Sequence, residues 1–287
     1  MKSPVLFLRV LASIVVVHCS LSGQEGDKKT LEYGWRKQFI GGLNLTQTSF
    51  DNWTQGGENT LSWQLHLTGE FVRDQEKFIW AQTGRISFGN TKVGGTEIRK
   101  SVDEFRLESV FTYKIGANVN PYVAVSGETQ LAAGFDYTQD PKVQVSDFMD
   151  PGYFTQSVGV GYAPLEVLKT RLGLRLKETT TRNFPVPYAD DPATPEVENT
   201  RIEFGVESVS DLKQQVSENI LVTSKLELFS NLDGIDETDV KWENVFSAQV
   251  SRFIAVNLYF KVFYDKDLST KRQWNQGLTL GLTYRIL

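Results

Sequence analysis

The chain of 287 residues is short of the side chains that most often carry chemistry: it has one cysteine, two histidines and two methionines. Cys19 lies in the N-terminal apolar segment, so no thiol remains once that segment is removed. An exported chain without disulfides needs another source of stability, and a closed, hydrogen-bonded barrel in a bilayer is one. Long apolar runs are also missing. Beyond the N-terminus none reaches the roughly 20 residues of a membrane helix. That excludes spanning helices but not a spanning β-barrel, whose apolar residues are diluted by alternation. Positive charge is in deficit: 30 Lys and Arg face 35 Asp and Glu, a net charge of −5. Loss of Lys2 and Arg9 with the N-terminal segment leaves −7, which argues against nucleic acid as a partner. No His/Cys/Asp group has metal-ligand spacing, and no glycine-rich phosphate loop precedes a helix, so neither metal nor other cofactor is expected. Gly56-Gly57 and Gly94-Gly95 read instead as turn residues that need positive φ.

The N-terminus has the make-up of a secretory signal. Lys2 is the charged start, residues 4–17 are the apolar region, and Ser20-Leu21-Ser22-Gly23 offers small residues for cleavage. This assigns 1–23 to a signal peptide, 24–34 to a short periplasmic segment and 35–287 to the folded body. Lipid modification of Cys19 is the alternative, although His18 before it is a poor fit to lipoprotein processing.

What the chain does have is alternation. Side chains of a strand point to opposite faces in turn, so period-two patterning marks a two-faced strand. In residues 60–73, Leu61, Trp63, Leu65, Leu67 and Phe71 share one face; Ser62, Gln64, His66, Thr68 and Glu70 share the other. Similar runs lie at about 36–49, 77–90, 103–116, 121–132, 153–163, 168–180, 200–210, 219–230, 239–250, 253–264 and 274–287. Most exceed the roughly 9–11 residues that cross a bilayer at a tilt.

Twelve is an even number, so the last run can pair with the first and close a barrel. The connections alternate as well. With both ends periplasmic, the inner turns are 74–76, 117–120, 164–167, 211–218 and 251–252. The outer loops are 50–59, 91–102, 133–152, 181–199, 231–238 and 265–273. The prediction is an all-β fold: a transmembrane, antiparallel up-and-down β-barrel of about 12 strands in the bacterial outer membrane. A soluble barrel of that size would have an interior too wide to fill with side chains. Aromatics near strand ends fit interface belts, with Phe71, Phe78 and Trp80 near one rim and Trp242, Tyr264 and Trp274 near the other.

The first outer loop carries Asn52-Trp53-x-x-Gly56-Gly57-x-Asn59. Later come Asp239-Val240-Lys241-Trp242-Glu243-Asn244, Tyr264-Asp265 and the closing Gly281-Leu282-Thr283-Tyr284-Arg285-Ile286. Together these resemble an uncharacterised outer-membrane barrel family of the Bacteroidota, catalogued as domain of unknown function 3078. The resemblance covers most of the mature chain. It implies a membrane and a compartment and no reaction. The family's usual closing aromatic is replaced here by Ile286 and Leu287.

Two candidate sites follow. The first is a basic inner wall: Lys169, Arg171, Arg175 and Lys177 share the polar face of one run, and Arg201 joins them from the next. A basic wall inside a pore favours anions. The second is the loop block Asn52, Trp53, Gly56 and Gly57, which reads as a constriction, a partner contact or a tight turn at the lipid interface. His66 is the one histidine of the mature chain. It falls on the polar face, whereas an outer-membrane lipid hydrolase presents its His and Ser to lipid, so catalysis is not expected. Glu104, Glu108, Glu128, Glu203 and Glu207, with Arg85 and Arg106, read as paired structural charges.

The expected function is a pore or transport protein for small, possibly anionic, solutes. The alternatives are a structural or assembly component that binds an envelope protein through its outer loops, and a disfavoured lipid-modifying enzyme. Expected partners are outer-membrane lipid and, during biogenesis, the barrel-assembly machinery.

Overall fold

The structure is a computed structural model that describes residues 33–285 apart from 52, 53, 56, 192, 193, 234–237 and 267, with only the backbone of 187 and 283–285. The signal-peptide reading of 1–23 with Cys19, the segment 24–32, the loop residues Asn52, Trp53 and Gly56, and Ile286 and Leu287 lie outside the described residues.

The alternating runs become long strands: β1 (Gly34–Thr48), β2 (Thr60–Asp74), β3 (Phe78–Val93), β4 (Arg99–Tyr113) and β5 (Val119–Thr129). A small hairpin follows, β6 (Gly134–Asp136) and β7 (Val143–Ser146). Then come β8 (Gly152–Leu165), β9 (Leu168–Thr180), one helical turn α1 (Pro185–Tyr188), and β10 (Thr200–Ser217). The chain ends with β11 (Ile220–Asn231), β12 (Thr238–Gln249), β13 (Ile254–Tyr264) and β14 (Gln273–Arg285). Twelve of these strands close a barrel in the ring order β1-β14-β13-β12-β11-β10-β9-β8-β5-β4-β3-β2, and every pairing is antiparallel. Among the described residues no helix is long and apolar enough to cross a membrane.

Register and alternation agree. Leu43 faces Leu65, which faces Phe88, and this row lies on the outer surface. Leu107, Val123, Val158, Leu172, Ile202, Leu258 and Leu278 continue the outer apolar face, each about half exposed or more. The rim aromatics stand where alternation puts them. Trp80 donates its indole N–H to Ser109 Oγ (2.9 Å) near the short-turn end, and Trp242 donates to Ser224 Oγ (3.0 Å) near the long-loop end. Each indole thus keeps an apolar body outward and a satisfied polar handle.

Two boundaries differ from the sequence expectation. The expected inner turn 211–218 is strand: β10 runs through Ser217, pairing Asp211 with Lys225 and Gln215 with Leu221. Apolar alternation stops at Leu212 because the end of this hairpin is exposed, so its side chains follow no two-faced pattern there. The expected outer loop 133–152 contains the β6–β7 hairpin, whose strands are too short to show a period. Gly57 (φ +134°) and Gly94 (φ +55°) have the positive φ of their turns, whereas Gly95 does not. At Gly57 a Cβ would also lie 2.7 Å from the Phe50 ring.

The second long loop system is ordered by one carboxylate. Asp150 accepts from Thr181 Oγ1 (2.5 Å), Arg182 N (2.8 Å), Asn183 N (2.9 Å) and Asn183 Nδ2 (3.0 Å). Burial pushes its carboxyl up, but these four donors outweigh that and hold it below the usual carboxylate range. Asp150 therefore ties the β5–β8 loop to the β9–β10 loop at the outer mouth.

Candidate functional site

The polar faces of the strands line the lumen, and their charges meet across it. Arg106 on β4 reaches Glu227 on β11 at 2.6 Å. Around the ring those two strands are separated by four strands one way and six the other, so they stand almost opposite. Arg85 on β3 meets Glu243 on β12 (2.8 Å), and Lys241 on β12 meets Glu128 on β5 (2.7 Å). Glu108 on β4 is held by both Arg171 of β9 (2.6 Å) and Lys225 of β11 (2.8 Å). Opposing walls are thus within reach of two side chains, and the ion pairs cross the middle of the barrel as struts.

The predicted basic residues can be placed one by one. Arg171, Arg175 and Lys177 all point inward, as alternation requires. Arg175 Nε lies 2.5 Å from Glu207, whose other oxygen accepts from Tyr122 Oη at 2.6 Å. Lys177 Nζ sits among Glu203 (3.1 Å), Asp239 (2.7 Å) and Asp265 (3.1 Å). Arg201 approaches Glu203 at 4.0 Å. Lys169 stands exposed at the inner end of β9, with Asp211 as its register partner. The wall is therefore a paired network: Glu108, Glu207, Glu227 and Glu203 interleave with the cations. Alternation puts Glu108, Glu203 and Glu207 inward as paired charges; Glu203 and Glu207 come from the neighbouring β10, and what alternation does not show is that Glu108 of β4 and Asp239 of β12 reach the same cations. A desolvated charge without a counter-charge is costly, and this arrangement leaves these groups paired.

Packing follows the same side. Tyr122 (2% exposed), Val209 (0%), Phe229 (3%) and Glu207 (1%) are the most buried part of the lumen. Glycines make room for the aromatics: a Cβ on Gly173 would lie 2.6 Å from Tyr122 Oη, and one on Gly205 2.6 Å from the Phe229 ring. A cavity of about 30 Å³ remains among Thr83, Arg85, Arg106, Glu108 and Lys225, space for a single water.

The side formed by β1, β2, β13 and β14 differs. Ion pairs touch β1 and β2 at the inner rim, where Arg36 meets Asp74 (3.5 Å) and Lys213 of β10 meets Glu70 (3.8 Å). Among the described residues β1, β2 and β14 carry no other ion pair apart from the Lys114–Asp74 contact at that same rim. Among the described side chains, their inward residues above it are uncharged, as in the rows Asn44↔Gln64 and Asn257↔Thr279.

His66 lies in that region, and its Nδ1 is 3.0 Å from Ser87 Oγ on β3. Both face the lumen, and Ser87 is 6% exposed. The pair has the reach of a nucleophile and base, but among the described residues no hydrogen bond orients the other ring nitrogen. No described group of His, Cys, Asp and Glu could hold a metal. Of the loop block, Gly57 alone is described.

The sequence model of a family described as "Protein of unknown function (DUF3078)" matches residues 45–135. That span takes in the first-loop block and β2 to β5, and ends before the strands with the basic side chains. Comparison with curated proteins finds no match. Among solved structures, the chain is similar to the translocator domain of the autotransporter NalP from Neisseria meningitidis: 13% identity, TM-score 0.40, 98% of this chain and 95% of that one. It is also similar to the COG4313 outer membrane channel from Pseudomonas putida F1: 11% identity, TM-score 0.42, 92% of this chain and 100% of that one. A third similarity is to the NanC porin: 7% identity, TM-score 0.40, 86% of this chain and 98% of that one. The architecture described above rests on the strand register, not on these likenesses.

Proposed function

We propose that the chain is an outer-membrane β-barrel that passes small solutes, of the kind its first loop resembles among the Bacteroidota. The observation that carries the reading is the sidedness of the closed barrel. Its outer face is an exposed apolar wall suited to lipid, and its inner face carries the polar and charged side chains, with Tyr122, Val209 and Phe229 packed among them. The struts from β3, β4 and β5 to β11 and β12 narrow the path, so only small solutes fit the reading. Arg171, Arg175, Lys177 and Arg201 already face carboxylates, which leaves at most a weak preference for anions. This reading assigns no catalysis to His66 and Ser87, and takes outer-membrane lipid and the barrel-assembly machinery as partners.

The test is planar-bilayer recording of the refolded mature protein, after a heat-dependent gel shift establishes a folded barrel. Discrete conductance steps are expected. Replacing Lys169, Arg171 and Arg175 by Gln is expected to move the reversal potential only slightly; a large loss of anion preference would restore the stronger anion reading. A folded but silent barrel overturns the pore. It would favour the second reading, a structural component that binds an envelope protein. That reading has its own support: the outer loops joined at Asp150 expose Phe148 (57%) and Val186 (65%).

A further inference from the structure

The barrel closes unevenly. Neighbouring strands elsewhere are in register over long stretches: β1 with β2 from Gly34↔Asp74 to Thr48↔Thr60, and β13 with β14 from Ile254↔Leu282 to Phe263↔Gln273. The closing pair β1–β14 is in register only from Ile40↔Arg285 to Asn44↔Gly281. Yet β1 continues to Thr48 and β14 starts at Gln273, both toward the long-loop end. All of these residues are described, and the register between the two strands stops at Asn44↔Gly281. Continued pairing would set Thr46 opposite Thr279 and Leu45 opposite Leu280.

Backbone N–H and C=O groups without partners do not occur against lipid, because nothing in the hydrocarbon can hydrogen-bond them. The free edges of Leu45–Thr48 and the facing part of β14 do lie at lipid depth: Leu45 (60% exposed), Leu278 (73%) and Leu280 (64%) point outward beside them. Inward at the same level are Asn44, Thr46, Gln64 and Thr279, all uncharged hydrogen-bonding groups. A molecule in this gap meets leucines on the membrane side, free backbone groups between the strands, and amide and hydroxyl groups on the lumen side. That sequence of surroundings matches an amphiphile with an uncharged, hydrogen-bonding head and an apolar tail. A charged head would find no free counter-charge, since the charge nearest the outer half of β14, Lys261 of β13, is already paired with Glu243 (3.2 Å).

We infer that the outer half of the β1–β14 seam is a lateral portal between lumen and membrane that takes amphiphiles of this class. The inference rests on the solute-passing reading and adds its route and its ligand chemistry.

The test uses the mature chain, which has no native cysteine, reconstituted in phospholipid vesicles. Thr46→Cys with Thr279→Cys probes the portal, and Asn257→Cys with Thr279→Cys is the paired control. A disulfide needs Cα atoms within roughly 4.4–6.8 Å, so copper-phenanthroline should join the portal pair at least about tenfold more slowly than the control. Equal rates overturn the portal. Occupancy is read with a dodecyl glucoside bearing a photoreactive diazirine in its tail. Labelling should be saturable at Leu45, Leu278 and Leu280, several-fold above Leu172 and Leu174 on the far wall, and displaced by unlabelled dodecyl glucoside but not by dodecyl sulfate. Labelling no higher at the seam, or displaced equally by the sulfate, overturns the ligand class. Bilayer conductance of the same preparation separates the two readings: a silent barrel with an open seam fails the pore and keeps the portal, whereas a conducting barrel with a closed seam does the reverse.

Discussion

The lumen has two sides that were built differently from the same alternating pattern. On one side β3, β4, β5 and β9 to β12 carry Arg, Lys and Glu that lock together across the interior, with Tyr122, Val209 and Phe229 filling the gaps. On the other, β1, β2 and β14 carry amides, hydroxyls and glycines above the inner rim, and their closing seam is short. A barrel of twelve strands is too wide to be filled evenly by side chains. This chain fills one side with paired charge and aromatic rings and leaves the other lightly packed. Rigidity and access are thereby assigned to different strands of one sheet.

The contrast predicts unequal sensitivity to substitution. Arg106→Ala removes the 2.6 Å partner of Glu227 at the centre of the struts and leaves it Lys225 at 3.4 Å and Arg175 at 3.8 Å. Loss of a charge-assisted hydrogen bond at a buried group costs about 1–3 kcal/mol. Detergent-resistant folding, followed by the gel shift against temperature, is expected to fall sharply, whereas Asn44→Ala at the seam should leave it within about 0.5 kcal/mol of the parent. If the two variants melt together, the sides are not mechanically distinct.

The glycines sharpen the same comparison. Gly205→Ala would place a methyl 2.2 Å from Ser230 O and 2.6 Å from the Phe229 ring, which is 3% exposed and has nowhere to go. Overpacking of this kind costs about 1–3 kcal/mol. Gly277→Ala meets the Tyr259 ring at 2.4 Å, but that ring borders the lightly packed side and can swing away. Its effect on the melting temperature should be smaller; equal losses would mean that the seam side is as tightly filled as the other.

The smallest expected effect concerns the outer mouth. The Asp150 carboxyl is held below its unfolded value by the donors from Thr181, Arg182 and Asn183. A depressed folded value means that the contribution is fully present above the unfolded pKa of about 3.9 and is lost as pH falls through the folded value. Trypsin cleavage after Arg182, measured on samples pre-equilibrated at acidic pH and returned briefly to pH 7, should increase only below about pH 4. Asp150→Asn should give faster cleavage at every pH. Cleavage that rises equally at Arg99 would mean that the whole mouth, not this loop pair, loosens.

How much was legible in advance differs by element. Strand runs such as 60–73 were readable because each residue's face follows from its position alone, and β2 occupies Thr60–Asp74. The inward direction of Arg171, Arg175 and Lys177 was readable for the same reason. Of their partners, Glu203 and Glu207 lie on the next strand, β10, whereas Glu108 on β4 and Asp239 on β12 come from strands farther round the ring, which no local pattern identifies. The pattern along one strand holds no information about the strand across the lumen. The end of β10 was missed for a different reason: beyond the apolar band both faces are exposed, so the period that marks a strand disappears while the backbone pairing continues.

By itself the sequence determined the number of barrel strands, their up-and-down order, which connections are long, and which side chains face out. All of these depend on local periodicity and on the chemistry of short segments. Only the tertiary structure decided that the basic wall is neutralised, that the struts join opposite walls, and that β1 and β14 part above Asn44. Those features depend on ring closure, which fixes the distance across the lumen and the register of the last strand against the first, and neither is a property of any one strand.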